Sequence, residues 1–173
     1  MSKRMAFVDS DVAELADLVD RDGCEVHVLD PDRPVAEQMA GVLAAEGPVA
    51  AVDLLSHGDP GWLQVAGRGI DRHDLQEEAG HWRAIGQAIE PGGALFLYGC
   101  RVAAGVSGHD FVDSLFELSQ VPVRAASGPI GAARWGGSWE LDVQRGASSA
   151  RSMVLEAYGG LLHAARRALS APA

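Results

Sequence analysis

Short apolar runs alternate along this chain with stretches in which apolar positions return every third or fourth residue. Met5-Ala6-Phe7-Val8 is the first run, and Asp9-Ser10 after it suits the cap of a helix over about Val12–Val19, with Leu15, Leu18 and Val19 on one side. Glu25-Val26-His27-Val28-Leu29 predicts a second strand, and Val35, Met39, Val42 and Leu43 predict the helix that comes after it, ended by Gly47-Pro48. Val49 to Leu55 is almost unbroken apolar sequence, as expected of a strand covered on both faces. Trp62-Leu63-Gln64-Val65, bounded by Asp59-Pro60-Gly61 and Gly67-Arg68-Gly69, predicts a small hairpin. Asp71 then suits the cap of one helix running to about Ile89, and Ala94–Tyr98 supplies another strand. Ser107-Gly108-His109-Asp110 has the Ser-x-x-Asp form of a helix start ahead of Phe111, Leu115 and Leu118, and Val121–Val123 opens a short strand. Ser138–Val143 is the last expected strand.

This alternation predicts an α/β fold with a mostly parallel central sheet covered by helices on both faces. At 173 residues and 47% hydrophobic content, one domain is expected over residues 1–146. Residues 147–173 read as a Gly-Ala-Ser-Ser linker and a C-terminal amphipathic helix, from the helical spacing of Val154, Ala157, Leu161, Ala165 and Leu169. Gly159-Gly160 opposes that helix by about 1 kcal/mol per glycine.

The net charge of -10 opposes binding to nucleic acid or to an anionic membrane surface. No apolar stretch approaches the roughly 18 residues of a membrane span, and Met1-Ser2-Lys3-Arg4 leads into only four apolar residues, so a cytoplasmic protein with reduced thiols is expected. The pattern leaves the oligomeric state open.

The candidate chemistry sits where two apolar runs end. His57 follows Leu54-Leu55-Ser56 and precedes Gly58, and Cys100 follows Leu97-Tyr98-Gly99; the two lie 43 residues apart, enough for one strand-helix-strand crossover that brings both to one sheet edge. A thiolate is the attacking species in thiol catalysis, and it needs a neighbouring imidazole to take its proton and later protonate the leaving group.

Ser56-His57-Gly58, Pro60-Gly61-Trp62-Leu63, Leu97-Tyr98-Gly99-Cys100-Arg101-Val102-Ala103-Ala104-Gly105 and Gly136-Gly137-Ser138-Trp139-Glu140-Leu141 together resemble a caspase-like uncharacterised domain found at the N-terminus of giant bacterial adhesin-type proteins. The similarity runs from about Ala6 to Asp142, and the His-Gly and Gly-Cys turns also resemble the wider caspase, gingipain and legumain group. The resemblance implies a three-layer caspase-like sandwich and a cysteine endopeptidase without a cofactor, acting on a protein or peptide. It further implies that Cys100 is the nucleophile, that His57 is its catalytic partner, and that the backbone amides of Gly58 and Cys100 form the oxyanion hole. Tyr98-Gly99-Cys100-Arg101-Val102 departs from the caspase motif, so a preference for aspartate is not carried over.

Three residues complete the candidate site as substrate contacts. Asp59, just beyond the His-Gly turn, suits a basic substrate side chain, although Asp before Pro-Gly is also an ordinary turn sequence. Tyr98 precedes Cys100 by two positions, and Trp135, with Trp139, is either packing or the wall of a groove. Arg145 and Arg151 flank the linker and mark it as a stretch the enzyme could cut in itself, given a basic preference. His73, Glu77 and His81 share a helix face at four-residue steps, but a solvated charged face accounts for them, and no metal is expected. Two other classes fit the same turns: a catalytically inactive binding or adhesion module with Cys100 merely packed, and a thiol amidase.

Overall fold

The computed structural model describes residues 3–21 and 23–164. Its main sheet has six strands: β1 (Arg4–Val8), β2 (Glu25–Val28), β3 (Ala51–Leu55), β7 (Leu95–Tyr98), β8 (Val123–Ala125) and β9 (Val143–Arg145), in the order β2-β1-β3-β7-β8-β9. Every neighbouring pair is parallel except β8 with β9. Between β3 and β7 the chain makes a small antiparallel sheet of β4 (His57–Asp59), β5 (Trp62–Val65) and β6 (Arg68–Asp71), so the expected hairpin has three strands.

Alternation along the parallel strands builds two cores. Met5, Phe7, Val52, Leu54, Leu95 and Leu97 point to one face, where they meet α2 (Val35–Glu46), α3 (Arg72–Glu77), α4 (Ala79–Gln87) and α5 (Gly105–Ser119) through residues such as Met39, Leu75, Trp82 and Phe111. Ala6, Val8, Leu55, Phe96 and Tyr98 point to the other face, covered by α1 (Leu15–Arg21) and by the C-terminal stretch through Met153, Leu155 and Leu162. The result is the three-layer α/β sandwich expected, with a mostly parallel sheet in the middle. Among the described residues no helix is long and apolar enough to cross a membrane.

Several local expectations change. The helix expected over Asp71–Ile89 is two helices, broken at Glu78; Asp71 does cap the first, its carboxylate accepting from the Asp74 N–H at 3.1 Å while Asp74 accepts from the Asp71 N–H. Ser107 does not begin α5, which starts two residues earlier behind Ala104. Asp9 caps nothing with its side chain; a single 3₁₀ turn, Ser10–Val12, separates it from α1. The strand expected over Ser138–Val143 is confined to Val143–Arg145, with only an isolated bridge from Ser138 to Ile130.

The largest change is in the tail. No helix forms between Arg151 and Ala164, and the part of the expected helix beyond Ala164 lies outside the described residues. Met153, Leu155 and Leu162 are buried while Val154 is exposed, a spacing that an extended chain lying on the sheet satisfies and a helix does not. Arg4 ties this segment to the sheet. Its guanidinium donates to the Arg151 carbonyl, forms a two-pronged bond to the buried Asp53 carboxylate at 2.6 and 2.7 Å, and lies over the Phe96 ring at 4.6 Å.

Candidate active site

The site is assembled by strand register. β3 and β7 run parallel with Leu55 opposite Tyr98, and the Ser56 N–H donates to the Tyr98 carbonyl at 3.1 Å, so the His-Gly and Gly-Cys turns leave the same edge side by side. The turns touch. A Cβ on Gly58 would stand 2.5 Å from Val102 Cγ2 and 3.2 Å from the Cys100 carbonyl oxygen, so only glycine allows this approach. The consequence is that the N–H groups of Gly58 and Cys100 converge on one point in space.

A carbonyl oxygen occupies that point. Leu162 O accepts from Gly58 N–H at 3.0 Å and from Cys100 N–H at 2.9 Å. The surrounding chain is laid across the edge as an extended peptide. On one side the Leu162 N–H donates to Ile130 O at 2.9 Å and Gly160 O accepts from Ala132 N–H at 2.8 Å, in antiparallel fashion. On the other, His163 bridges to Gly58 and the Ala164 N–H donates to Gly58 O at 2.9 Å. Gly131, at φ 137°, is what admits this peptide, since a Cβ there would stand 2.2 Å from the Gly160 carbonyl oxygen.

Cys100 is wholly enclosed beneath that strap, at 0% exposure. Its sulfur accepts the Ile130 N–H at 3.2 Å and faces Ile130 O at 3.5 Å, the same carbonyl that holds the Leu162 N–H. Burial pushes the thiol pKa up, and Asp59 adds to that, against the opposing influence of the Ile130 N–H, Arg101 and the Leu162 main chain. The neutral thiol is therefore favoured while the strap is seated. His57 is half-buried, and its Nδ1 is enclosed without a hydrogen-bond partner, so no bond joins Nδ1 to the thiol. The structure brings the two turns and their amides together and leaves the thiol resting on the Ile130 main chain.

Because the Cys100 pKa is raised on folding, its neutral form stabilises the fold fully below the ordinary thiol value of about 8.5, and that contribution is lost as pH rises through the folded value. The urea midpoint of the wild-type chain is expected to fall as pH rises above about 8.5, and that of the Cys100→Ala chain to fall less. Tyr98, whose pKa burial also raises, is common to both chains and cancels in the comparison.

Of the substrate contacts expected from the sequence, Asp59 lies in β4 opposite Trp62, half-buried and near enough for its charge to act on the thiol. Trp135 is 62% exposed and donates from Nε1 to Gly159 O at 3.1 Å, so it stands beside the strap. Tyr98 is overturned as a substrate contact. It is wholly buried, its hydroxyl donating to Asp53 at 3.1 Å and accepting from the Met153 N–H at 2.8 Å, which occupies it in anchoring the tail.

Three participants escape a reading of side-chain chemistry. Ile130 and Leu162 act through the main chain, which no motif encodes. Asp9 directly follows β1, next to β3, with its whole side chain buried; Oδ1 accepts from the Ala66 N–H at 3.0 Å and Oδ2 has no partner among the described residues. Burial raises its pKa, against the opposing influence of the Ala66 N–H, the Asp11 main chain and the nearby His57.

A cleft of about 490 Å³ between α2, α3 and β6, lined by Pro34, Val65, Arg68, Ile70 and Glu78 among others, holds neither His57 nor Cys100. The catalytic candidates lie under the strap.

Residues 5–162 match the model of a family described as a domain of unknown function, DUF4347, and the chain belongs to that family. The match ends at the residue whose carbonyl meets the two amides. No curated protein matches the chain. A crystal structure described as a small-chain dehydrogenase resembles it over 70% of this chain and 79% of that one, at 10% identity and a TM-score of 0.40.

Proposed function

We propose that this domain is a caspase-like cysteine endopeptidase in which Cys100 and His57 form the working pair. The observation that carries the reading is the convergence of the Gly58 and Cys100 amides on one carbonyl oxygen, at 3.0 and 2.9 Å. Two fixed N–H dipoles at that position favour the oxygen more as it gains negative charge, and one such donor is worth roughly 3 to 4 kcal/mol to an acyl-transfer transition state.

In the proposed cycle the strap lifts, the thiol leaves Ile130 by rotation about χ1, and its proton passes to His57. The sulfur attacks the carbonyl carbon while the two amides hold the oxyanion. The amide C–N bond breaks as His57 returns the proton to the leaving amine, and water hydrolyses the thioester to give a carboxylate and the free thiol. Asp9, at the end of the neighbouring strand, steadies the imidazolium between those steps as a positioning residue. The substrate is a protein or peptide that adds to the edge of Ile130–Ala132 through its main chain. Cys24 and Cys100 are both thiols rather than halves of a disulfide, which suits a reducing compartment such as the cytoplasm.

The complete enclosure of Cys100 favours a second reading, a binding module whose resident ligand is its own tail. Alkylation with iodoacetamide near neutral pH separates the two. In a chain opened by Leu162→Asp, Cys100 is expected to react at least tenfold faster than Cys24, and His57→Ala in that background is expected to remove the advantage. Equal rates at the two cysteines, with no cleavage of added peptides, would leave the binding module standing.

A further inference from the structure

The peptide that crosses the site is part of this chain and is continuous through it. Leu162 offers its carbonyl to both amides, residues 160–162 pair with Ile130–Ala132 on one side, and His163 and Ala164 run on past Gly58 on the other. An inhibitory plug ending at the site would leave the second side vacant. Here main-chain hydrogen bonds fix the peptide both before and after one carbonyl, which is how a protease holds a bond it is about to break.

Side chains agree with that assignment. Leu162 is buried in the apolar cluster that also contains Cys100, Ile130 and Trp139, so the position just before the bond is lined by aliphatic and aromatic groups. His163, just after it, is exposed. The chain approaching from the other direction has Gly159 and Gly160, which fit beneath Trp135 and against Gly131. The two arginines that flank the linker are placed differently. Arg145 lies in β9 with an ion pair to Asp113, and the Arg151 carbonyl is taken by Arg4, so neither peptide meets the amide pair.

We infer that Leu162–His163 is the domain's own scissile bond, and that its substrates carry an aliphatic residue of leucine type, rather than a basic one, immediately before the cut. This rests on the thiol-peptidase reading above. In the step itself the Cys100 sulfur bonds to the Leu162 carbonyl carbon, the bond to the His163 nitrogen breaks, and the thiol proton reaches that nitrogen through His57. One water then converts the thioester to the Leu162 carboxylate and restores the thiol. No oxidant, reductant or cofactor enters the balance.

The test is intact-mass spectrometry of the purified chain incubated near neutral pH, beside hydrolysis of two fluorogenic peptides, Tyr-Gly-Gly-Leu-Leu and Tyr-Gly-Gly-Leu-Arg, each with the dye amide after the last residue. A product ending at Leu162 is expected from wild type and from Arg145→Ala and Arg151→Ala, and none from Cys100→Ala. Leu162→Asp is expected to slow the cut at least a hundredfold. His163→Pro keeps every strap hydrogen bond described above, because the strap uses the N–H of Ala164 and not of His163, yet it makes the leaving group a tertiary amide nitrogen; it too is expected to stay whole, and it guards against a folding defect in Leu162→Asp. In the opened Leu162→Asp chain, the leucine peptide is expected to be cut at least tenfold faster than the arginine peptide. A chain that stays intact while the arginine peptide is cut as fast or faster, with Cys100 required, overturns the leucine assignment and leaves the peptidase standing. An intact chain that cuts neither peptide, and alkylates Cys100 no faster than Cys24 when opened, overturns both.

Discussion

Cys100→Ala is expected to lower hydrolysis of the leucine peptide by at least about a thousandfold, because in the proposed cycle the group it removes forms the covalent bond and nothing else in the site replaces it. The loss is expected in kcat, with binding of the peptide nearly unchanged, since the Gly58 and Cys100 N–H groups and the edge at Ile130–Ala132 belong to the main chain and survive the substitution. Stability should suffer little. Removing one buried sulfur costs about 1 kcal/mol, which for a chain of this length lowers Tm by about 2 to 4 °C. A parallel measurement of kcat, KM and Tm therefore separates loss of chemistry from loss of fold. Residual activity within tenfold of wild type would remove Cys100 from the mechanism.

Asp53→Ala is expected to have the largest effect on stability, about 3 to 5 kcal/mol, read as a shift in the urea midpoint. Asp53 is fully enclosed in β3 between the Arg4 guanidinium and the Tyr98 hydroxyl. Burial alone would lower the Arg4 pKa, and the hydrogen bonds and charge of Asp53 more than reverse this, so the carboxylate is what makes a charged arginine tolerable there. Without it the guanidinium is left with no counter-charge, and Tyr98 loses the acceptor that orients it toward the Met153 N–H. The paired change Arg4→Met with Asp53→Leu should recover most of the loss, because matched apolar groups replace a buried pair at little net cost. Failure to recover would mean that the Arg4 contact to Arg151 O, which the pair change also removes, carries the stability instead.

Much of this arrangement is legible in the sequence, and the part that is not has a physical cause. The parallel strands announce themselves because both faces of the sheet are buried, which demands apolar runs such as Val49–Leu55. The His-Gly and Gly-Cys turns are legible for a related reason, since a strand end with glycine beside a titratable side chain has few bland uses. The tail misleads because Val154, Ala157 and Leu161 return at helical intervals by chance. The better guide is local: Met153-Val154-Leu155 alternates buried and exposed as an extended chain does, and Gly159-Gly160 disfavours any helix across it. Asp9 is hidden by an ordinary role, as Asp before Ser at a strand end reads as a cap until its carboxylate is seen facing Ala66. Leu162 and Ile130 contribute only peptide groups, which every residue has.

The anchors of the tail lie upstream of Leu162. Met153 is tied to Tyr98, Leu155 is buried beneath the segment, and Arg134 and Trp135 both hold Gly159 O. Severing the Leu162–His163 bond would leave these anchors intact, and the fresh carboxylate would stay tethered beside the two amides that meet the Leu162 carbonyl. Its local concentration there would be on the order of millimolar, so a domain that has cut itself once remains occupied by its own product. Under the proposed mechanism an outside peptide must displace that end, so turnover on other proteins would depend on how readily the segment from Met153 to Leu162 peels from the sheet.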